Sequence, residues 1–347
     1  MSKIGRAITR KSLKATTFVT SLALISILLV ITCRPNTQKH YEKVVLGVET
    51  VPHASPVWIA ENRSYFQKEG LNVEIREFES GRTALQKMLS DGDIDIVTAA
   101  QTPVISHSFM RNDYAIIGNM VSSYSDVKLL ARRDRDIKNS SDLKGKTVGI
   151  TAKSSGHFFL SLFLIHNKLT LSDIKIVDLE ATRLPQALVD GTVDAISIWE
   201  PHIFRAQKAL GEKAFVLPSS GIYREDFYLI ARKDFIKNNP NAIKQFLMAI
   251  QKGEEFLQQK NTEAMEIVAK RLSMDKEVLM TIWKDFQFRL SLDQTFLIAL
   301  EDEARWAIRN KFTDVKKVPN YLEFIHTKTL KEVNPSAVSI AGKEDHQ

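Results

Sequence analysis

The sequence predicts an α/β protein in which parallel strands are covered by helices on both faces. Two observations support this fold class. Short apolar strands alternate with helices of 3.6-residue period from Ser141 to Pro201, and the same alternation runs from Val44 to Pro103. Because ligands of such sheets bind beyond the carboxyl ends of the strands, the residues that follow each strand are the candidates for a site.

The N-terminal part of this pattern has polar residues after each strand. Its strands are predicted at Val44–Gly47, Val73–Phe78 and Ile94–Ala99, with helices at Trp58–Phe66 and Ala84–Ser90. Hydroxyl groups, an amide and backbone N–H groups at these strand ends suit a small oxyanion. The candidate ligand-binding residues are His53, Ser80, Gly81, Gln101 and Thr102. Taken singly, Ser80 and Thr102 are also explained as helix caps, and His53 as an exposed turn residue.

The second part repeats the pattern. Its strands are predicted at Thr147–Ile150, Ile174–Leu179 and Val193–Ile198, with helices that begin at Ser154 and at Leu184. The candidates here are Ser154, Ser155, Gly156, His157, Trp199 and Glu200. The first four open a helix, whose N–H groups and dipole favour an anion. His157 is equally explained as an exposed or capping residue, Trp199 as core, and Glu200 as the ion-pair partner of Arg183, Arg205 or Arg224.

Longer motifs in these two parts give a family resemblance. The second part carries DLKGKTVGI, SSGHFFL and ALVDGTVDAISIWEP, and the first carries VVLGVETVPHASPVWIAENRSYFQKEGLNVEI and GDIDIVTAAQTPVI. In order and spacing, over residues 44–239, they resemble the nitrate/sulfonate/taurine family of periplasmic substrate-binding proteins. They are also similar to thiamine-pyrimidine-precursor binding proteins.

The resemblance implies a two-lobed periplasmic-binding-protein fold of type II. Each lobe is expected to be a mixed, mostly parallel sheet flanked by helices, with two hinge crossovers. VKLLARRD from Val127 and FYLIARKD from Phe227 are near copies and are predicted to be the hinge strands. The predicted divisions are 1–33 signal peptide, 34–43 tether, 44–128 first part of lobe 1, 129–226 lobe 2, 227–340 return to lobe 1, and 341–347 tail. Phe286, Phe288, Phe296 and Trp306 are predicted to pack on the first lobe.

The resemblance also implies capture of a small organic anion of the sulfonate, taurine or nitrate type, and its delivery to an ABC permease with its own ATPase. A ligand with both a sulfonate and an amine would use the Ser154 helix start and Glu200 at its two ends. Arg224 is predicted either to clamp an oxyanion or to form a salt bridge between lobes. The alternative is a binding protein or synthase for a thiamine pyrimidine precursor, with Trp199 stacking on the ring.

The N-terminal segment resembles a bacterial lipoprotein signal. A basic stretch precedes the apolar run Phe18–Ile31, which ends at Thr32 and Cys33. The run is short for a bilayer span and suits a signal-peptide core. We therefore expect lipidation of Cys33 and a location in the periplasm or on the outer face of the cell membrane. An uncleaved anchor, or cleavage elsewhere, are the alternatives, because Thr32 stands where a smaller residue is usual.

Composition and motifs argue against several other functions. The formal net charge is +7, but the leader holds enough of the basic residues to leave the body near neutral, so no nucleic-acid partner is expected. The sequence lacks GxxxxGK[ST], GxGxxG, GxSxG and HExxH patterns. Cys33 is its only cysteine, and the synthases of this fold carry a cysteine-rich motif. A monomeric binding protein is expected, without catalytic residues, metal or cofactor.

Overall fold

The computed structural model describes residues 41–219 and 221–340. The predicted signal peptide, Cys33, most of the predicted tether and the tail from residue 341 lie outside these residues. The last part of the predicted tether is strand instead, because Glu42 and Lys43 pair with Leu71 and Asn72. Among the residues described, no helix combines the length and apolar character needed to cross a bilayer.

The strands form two separate sheets. In chain order they are β1 Glu42–Glu49, β2 Leu71–Phe78, β3 Ile96–Ala100, β4 Tyr114–Ser123, β5 Val127–Arg132, β6 Thr147–Ile150, β7 Lys175–Asp178, β8 Ala195–Trp199, β9 Ala214–Val216, β10 Glu225–Arg232 and β11 Phe286–Ser291. The first sheet has the order β11-β4-β10-β3-β1-β2, and the second has the order β7-β6-β8-β5-β9.

The α-helices flank these sheets. They are α1 Ser55–Asn62, α2 Tyr65–Lys68, α3 Gly81–Asp91, α4 Gln101–Ser108, α5 Ser155–His166, α6 Leu184–Val189, α7 His202–Leu210, α8 Lys233–Asn238, α9 Pro240–Gln259, α10 Asn261–Arg271, α11 Lys276–Trp283, α12 Gln294–Arg309 and α13 Lys328–Val333. The prediction of two mixed sheets flanked by helices is confirmed. Parallel pairing is limited to two pairs in each sheet, because the strands next to each crossing run antiparallel to their neighbours.

The second sheet shows how the sequence pattern places its strands. On β5, Leu129 and Ala131 join the cluster built around α5, whereas Leu130 joins the cluster against α6 and α7. Alternate residues of a strand point to opposite faces. A sheet that is covered on both faces therefore needs apolar residues at successive positions, as the sequence LLA provides.

The chain crosses between the sheets twice, but the crossings differ from the prediction. All of β5 pairs within the second sheet and all of β10 within the first. The crossings are the short connection between Ser123 and Val127 and the longer one between Val216 and Glu225. The two near-copy strands therefore follow the crossings and do not form them. Their likeness reflects a shared need for apolar residues that end in a charged turn.

Helix α12 connects the two halves of the protein by packing. Phe296 and Leu300 belong to the core of the first sheet, but Trp306 and Ala307, near the helix end, belong to the core of the second. The prediction that Trp306 packs with the first lobe is therefore wrong. A helix of 16 residues is about 24 Å long and can reach both cores.

Candidate functional site

A cavity of about 690 Å³ lies where loops from both sheets meet. The first sheet contributes the residues that follow β1, β2 and β3, and the second contributes those that follow β6, β7 and β8. Asp126, Glu225 and Phe227 at the two crossings complete the wall. The position agrees with the rule that ligands of such sheets bind beyond the strand ends.

Seven of the twelve predicted ligand-binding residues line this cavity. They are His53, Ser80, Gly81, Thr102, Ser154, Ser155 and Trp199. The other five occupy different surroundings. They are Gln101, Gly156, His157, Glu200 and Arg224. The binding role of the first seven stays a prediction. Five of them, His53, Ser80, Gly81, Thr102 and Ser154, also contact other groups of the protein.

The start of α3 is already occupied by a carboxylate of the protein. The Gly81 N–H donates to Glu49 Oε2 at 2.9 Å, and the Ser80 hydroxyl caps the helix by accepting from the Thr83 N–H at 3.2 Å. Glu49 also lies 3.7 Å from His53 Nε2, and the His53 ring stacks on Phe227. The Gly81 N–H was expected to donate to an oxyanion of the ligand, but it donates to the carboxylate of Glu49 within the protein.

The start of α4 is also paired with a buried acid. Gln101 Nε2 and Thr102 Oγ1 donate to the two oxygens of Glu303 on α12, at 2.8 and 2.6 Å. Gln101 is fully buried, and its Oε1 accepts from the Asp226 N–H at 3.3 Å. Gln101 is therefore buried behind the cavity wall and does not line the cavity, whereas Thr102 is part of the wall.

At the start of α5, two predicted residues have structural roles. A Cβ on Gly156 would lie 2.5 Å from the Ser197 carbonyl oxygen, so glycine allows the helix to lie directly against β8. His157 is buried against Trp306 and Phe312, and its Nδ1 accepts from the Lys153 N–H at 3.3 Å. Burial lowers the pKa of His157, which favours the neutral ring. Ser154 caps the helix through the His157 N–H.

Glu200 and Arg224 are ion-paired within the protein. Glu200 accepts from Lys128 Nζ at 2.7 Å and from the Phe204 N–H at 3.0 Å, so its partner is a lysine that the sequence did not suggest. Lys128 also contacts Asp285 at 2.9 Å. Arg224 pairs with Asp226 at 2.9 Å and with Asp293 at 3.3 Å, so it forms salt bridges with partners on or beside the first sheet.

Replacing Glu200 by glutamine is expected to destabilise the fold without changing ligand preference. The variant weakens a buried contact to Lys128, and we expect a loss of about 1–3 kcal/mol in the free energy of unfolding. Urea denaturation measures it, with the exposed Glu212→Gln as the control on the same half of the protein. Unchanged stability together with lost affinity for amine-bearing ligands would contradict this role.

Sequence reasoning missed most of the charged groups in the cavity wall. Six carboxyl groups line it, and the lining includes one arginine, Arg82. The acids are Glu49, Glu79, Asp126, Asp178, Glu180 and Glu225. Glu79 and Glu180 directly follow predicted strands, and Asp178 is the last but one residue of a predicted strand. Asp126 and Glu225 come together only in the fold, because they lie 99 positions apart in the sequence.

Arg82 and the two histidines complete the polar lining. Arg82 donates to the Lys153 carbonyl oxygen at 2.6 Å and so connects α3 with the loop before α5. Burial and the nearby Arg205 lower the pKa of His202 to about 4, which leaves its ring neutral at neutral pH. Across the described ranges 41–219 and 221–340, no group of three or more His, Cys, Asp and Glu residues is arranged to hold a metal ion.

The comparisons with known proteins identify the family. A family model described as NMT1/THI5 like matches residues 51–264. A putative aliphatic sulfonates-binding protein of Bacillus subtilis is 25% identical over 284 residues, which are 80% of this chain and 84% of that protein. A putative thiamine biosynthesis protein of Haemophilus influenzae is 21% identical over 72% of this chain and 80% of its own length.

Solved structures share the fold. The periplasmic aliphatic sulphonate binding protein SsuA of Escherichia coli superposes with a TM-score of 0.70 at 19% identity, over 82% of this chain and 97% of that one. The periplasmic nitrate-binding protein NrtA of Synechocystis gives 0.65 at 15% identity, over 85% and 89%. The fold is that of the two-lobed periplasmic binding proteins. Since the family model covers more than half of the sequence, the chain belongs to the NMT1/THI5-like family.

Proposed function

We propose that this protein is the solute-binding component of an ABC importer, which captures a small organic solute in the 690 Å³ cavity and delivers it to a permease with its own ATPase. The main support for the proposal is that residues at the strand ends of both sheets line one cavity. In the part of the chain that the structure describes, two crossings join the sheets, and bending at such crossings can enclose a ligand. The named binding proteins among its relatives support the same function.

Among the predicted ligands, the wall favours those that carry nitrogen donors. Carboxyl groups outnumber the single arginine, and the N–H of Gly81 already faces Glu49. A bare anion such as nitrate would be repelled by these carboxylates. An aminosulfonate such as taurine places a sulfonate near Arg82 and an ammonium among the acids. Of the anions first predicted, it is the best match.

The aminopyrimidine alternative is supported by a different observation. Trp199, Phe227 and His53 line the same cavity, and flat aromatic faces bind a flat ring. Exocyclic amino groups would donate to the carboxyl groups. A binding role is favoured over a synthase role, because Cys33 is the only cysteine of the sequence. The proposal extends to a monomer anchored by a lipid at Cys33 and located on the outer face of the cell membrane or in the periplasm.

Isothermal titration calorimetry of residues 34–347 tests the function. The panel is taurine, ethanesulfonate, nitrate, bicarbonate and an aminopyrimidine. We expect saturable binding of an amine-bearing member and at least tenfold weaker binding of nitrate. Ala181→Trp should abolish binding by filling the cavity, since Ala181 lies in its wall.

The matched control is Ala209→Trp, which adds the same side chain to an exposed position on α7. It should bind like the unmodified protein. Binding that survives Ala181→Trp would place the ligand outside the cavity, and a preference for nitrate would contradict the proposed ligand class. Conversion of the aminopyrimidine or of pyridoxal phosphate into a product would favour the synthase instead.

A further inference from the structure

Two buried carboxyl groups meet where the chain crosses between the sheets. Asp126 ends the first crossing and Glu225 follows the second, so residues 99 positions apart become neighbours. Their exposed fractions are 1% and 2%, yet both belong to the cavity wall. The two carboxyl groups lie close enough to interact electrostatically, and Ser155 lies beside Glu225.

Within residues 41–219 and 221–340, no lysine, arginine or histidine forms a salt bridge with either acid of this pair. His53, Lys128, Glu200 and Glu225 face Asp126, but Lys128 Nζ is held by Glu200 and Asp285. His53 lies beside Glu49. Around Glu225 the facing groups are Asp126, Ser155, Tyr223 and Glu303. Both oxygens of Asp126 and Oε2 of Glu225 have no hydrogen-bond donor.

Two adjacent buried carboxyl groups without a basic partner cannot both be ionised at low cost. Burial, assisted by Glu200, raises the pKa of Asp126 to about 7, and burial together with Asp126 raises the pKa of Glu225 well above its usual range. Without a bound cation, burial and mutual repulsion therefore favour a proton on one of the two carboxyl groups near neutral pH.

We propose that Asp126 and Glu225 form the subsite for a positively charged nitrogen of the ligand, and that this cation takes the place of the proton that the pair holds. The O–H bond of the carboxyl group breaks and its proton passes to water, while no covalent bond forms between the ligand and the protein. The inference rests on the proposed function only in that the ligand enters this cavity. Because Asp126 and Glu225 lie at the two crossings, a nitrogen bound between them connects the two segments at which the protein bends.

The direction of the pH dependence follows from this exchange. Protons and the cation compete for the same carboxyl groups, so affinity for a cation increases as the pH rises through the range in which the pair loses its proton. Between pH 5.5 and pH 8 we expect an increase of at least about tenfold. A subsite for a neutral donor would show the reverse preference or none.

Ethylammonium tests the subsite without knowledge of the natural ligand, because the ion stays protonated at both pH values. Its affinity is measured at pH 5.5 and 8 from the shift of melting temperature with concentration, with ethanesulfonate as the anion of similar size. We expect ethylammonium to stabilise the protein at pH 8 and much less at pH 5.5, and ethanesulfonate to stabilise less than ethylammonium at pH 8. Asp126→Asn and Glu225→Gln should each remove the ethylammonium effect, and Glu212→Gln on the surface should retain it.

Each outcome decides the inference. An equal or absent ethylammonium shift at the two pH values overturns it, as does an effect that persists in folded Asp126→Asn and Glu225→Gln proteins. If a variant does not fold, the pH dependence of the unmodified protein alone decides. If a ligand of the calorimetry panel binds in the cavity but ethylammonium does not stabilise the protein, the proposed function stands and the proposed subsite is wrong. If ethylammonium stabilises the protein but no panel ligand binds, the subsite is supported and the proposed ligand panel is wrong.

Discussion

Replacement of Trp306 by alanine is expected to lower the free energy of unfolding by about 3–5 kcal/mol. Trp306 is 5% exposed and belongs to the core of the second sheet, although its helix α12 begins in the core of the first. Its ring lies 5.1 Å from the ring of Phe158 and 4.9 Å from that of Phe312. Truncation leaves a cavity where the two halves of the protein meet. Chemical denaturation measures the loss.

Two variants on the same helix control this result. Trp306→Phe keeps an aromatic ring and removes an indole N–H that has no hydrogen-bond partner, so its cost should be well below that of alanine. Ile298→Ala changes a side chain that is 53% exposed and should alter stability by less than about 0.5 kcal/mol. Equal losses for Trp306→Ala and Ile298→Ala would show that the packing between the halves adds nothing.

Replacement of Glu303 by alanine is expected to cost about 2–4 kcal/mol. Its two carboxylate oxygens accept from Gln101 and Thr102, and the residue is 1% exposed. Without the acid, the buried Gln101 amide loses its acceptor and the start of α4 loses its contact with α12. Thr102 would then move in the cavity wall, so ligand affinity should fall together with stability.

The Glu303→Gln variant keeps the shape of the side chain but cannot ionise, so it isolates the effect of the charge on stability. Burial raises the pKa of Glu303 to about 7, so the folded protein keeps a proton that the unfolded chain releases near pH 4.5. The folded state then binds more protons between these values, and stability falls as the pH rises from about 4.5 through 7. The glutamine variant lacks this contribution. Its stability relative to the unmodified protein should improve from pH 5 to pH 8.

Urea denaturation at pH 5, 6.5 and 8 measures this pH dependence. Asp126, Glu225 and Asp226 have raised pKa values for the same reason, burial, and therefore leave a residual pH slope of the same sign in the variant. A steeper slope in Glu303→Gln than in the unmodified protein would contradict the assignment.

The fold could be predicted because its signals are local. The strand Thr147–Ile150 has its predicted bounds, and the two helices predicted to begin at Ser154 and Leu184 begin at Ser155 and Leu184. Alternation of strand and helix depends on residues close in sequence, and apolar residues at successive positions already indicate a sheet covered on both faces. The family resemblance then supplied the two-lobed arrangement.

The partners of charged residues could not be predicted, because they come from distant positions. Glu200 looked like a ligand contact since an acid directly after a buried strand needs a partner, and that partner is Lys128 on β5. Gly81 and Ser155 looked like anion sites, and the acids that face them are Glu49 and Glu225. Strand order and loop packing decide these pairings, and the local sequence pattern predicts neither of them.

The crystal structure of the complex with an amine-bearing ligand from the panel is the most direct measurement. The account predicts ligand density in the 690 Å³ cavity, with a nitrogen within hydrogen-bond distance of Asp126 or Glu225 and the remainder of the ligand against Trp199 or Phe227. Density in the neighbouring cavity of about 290 Å³, which Lys153, Trp306 and Phe312 line, would contradict it. So would a ligand anion in contact with the carboxyl pair.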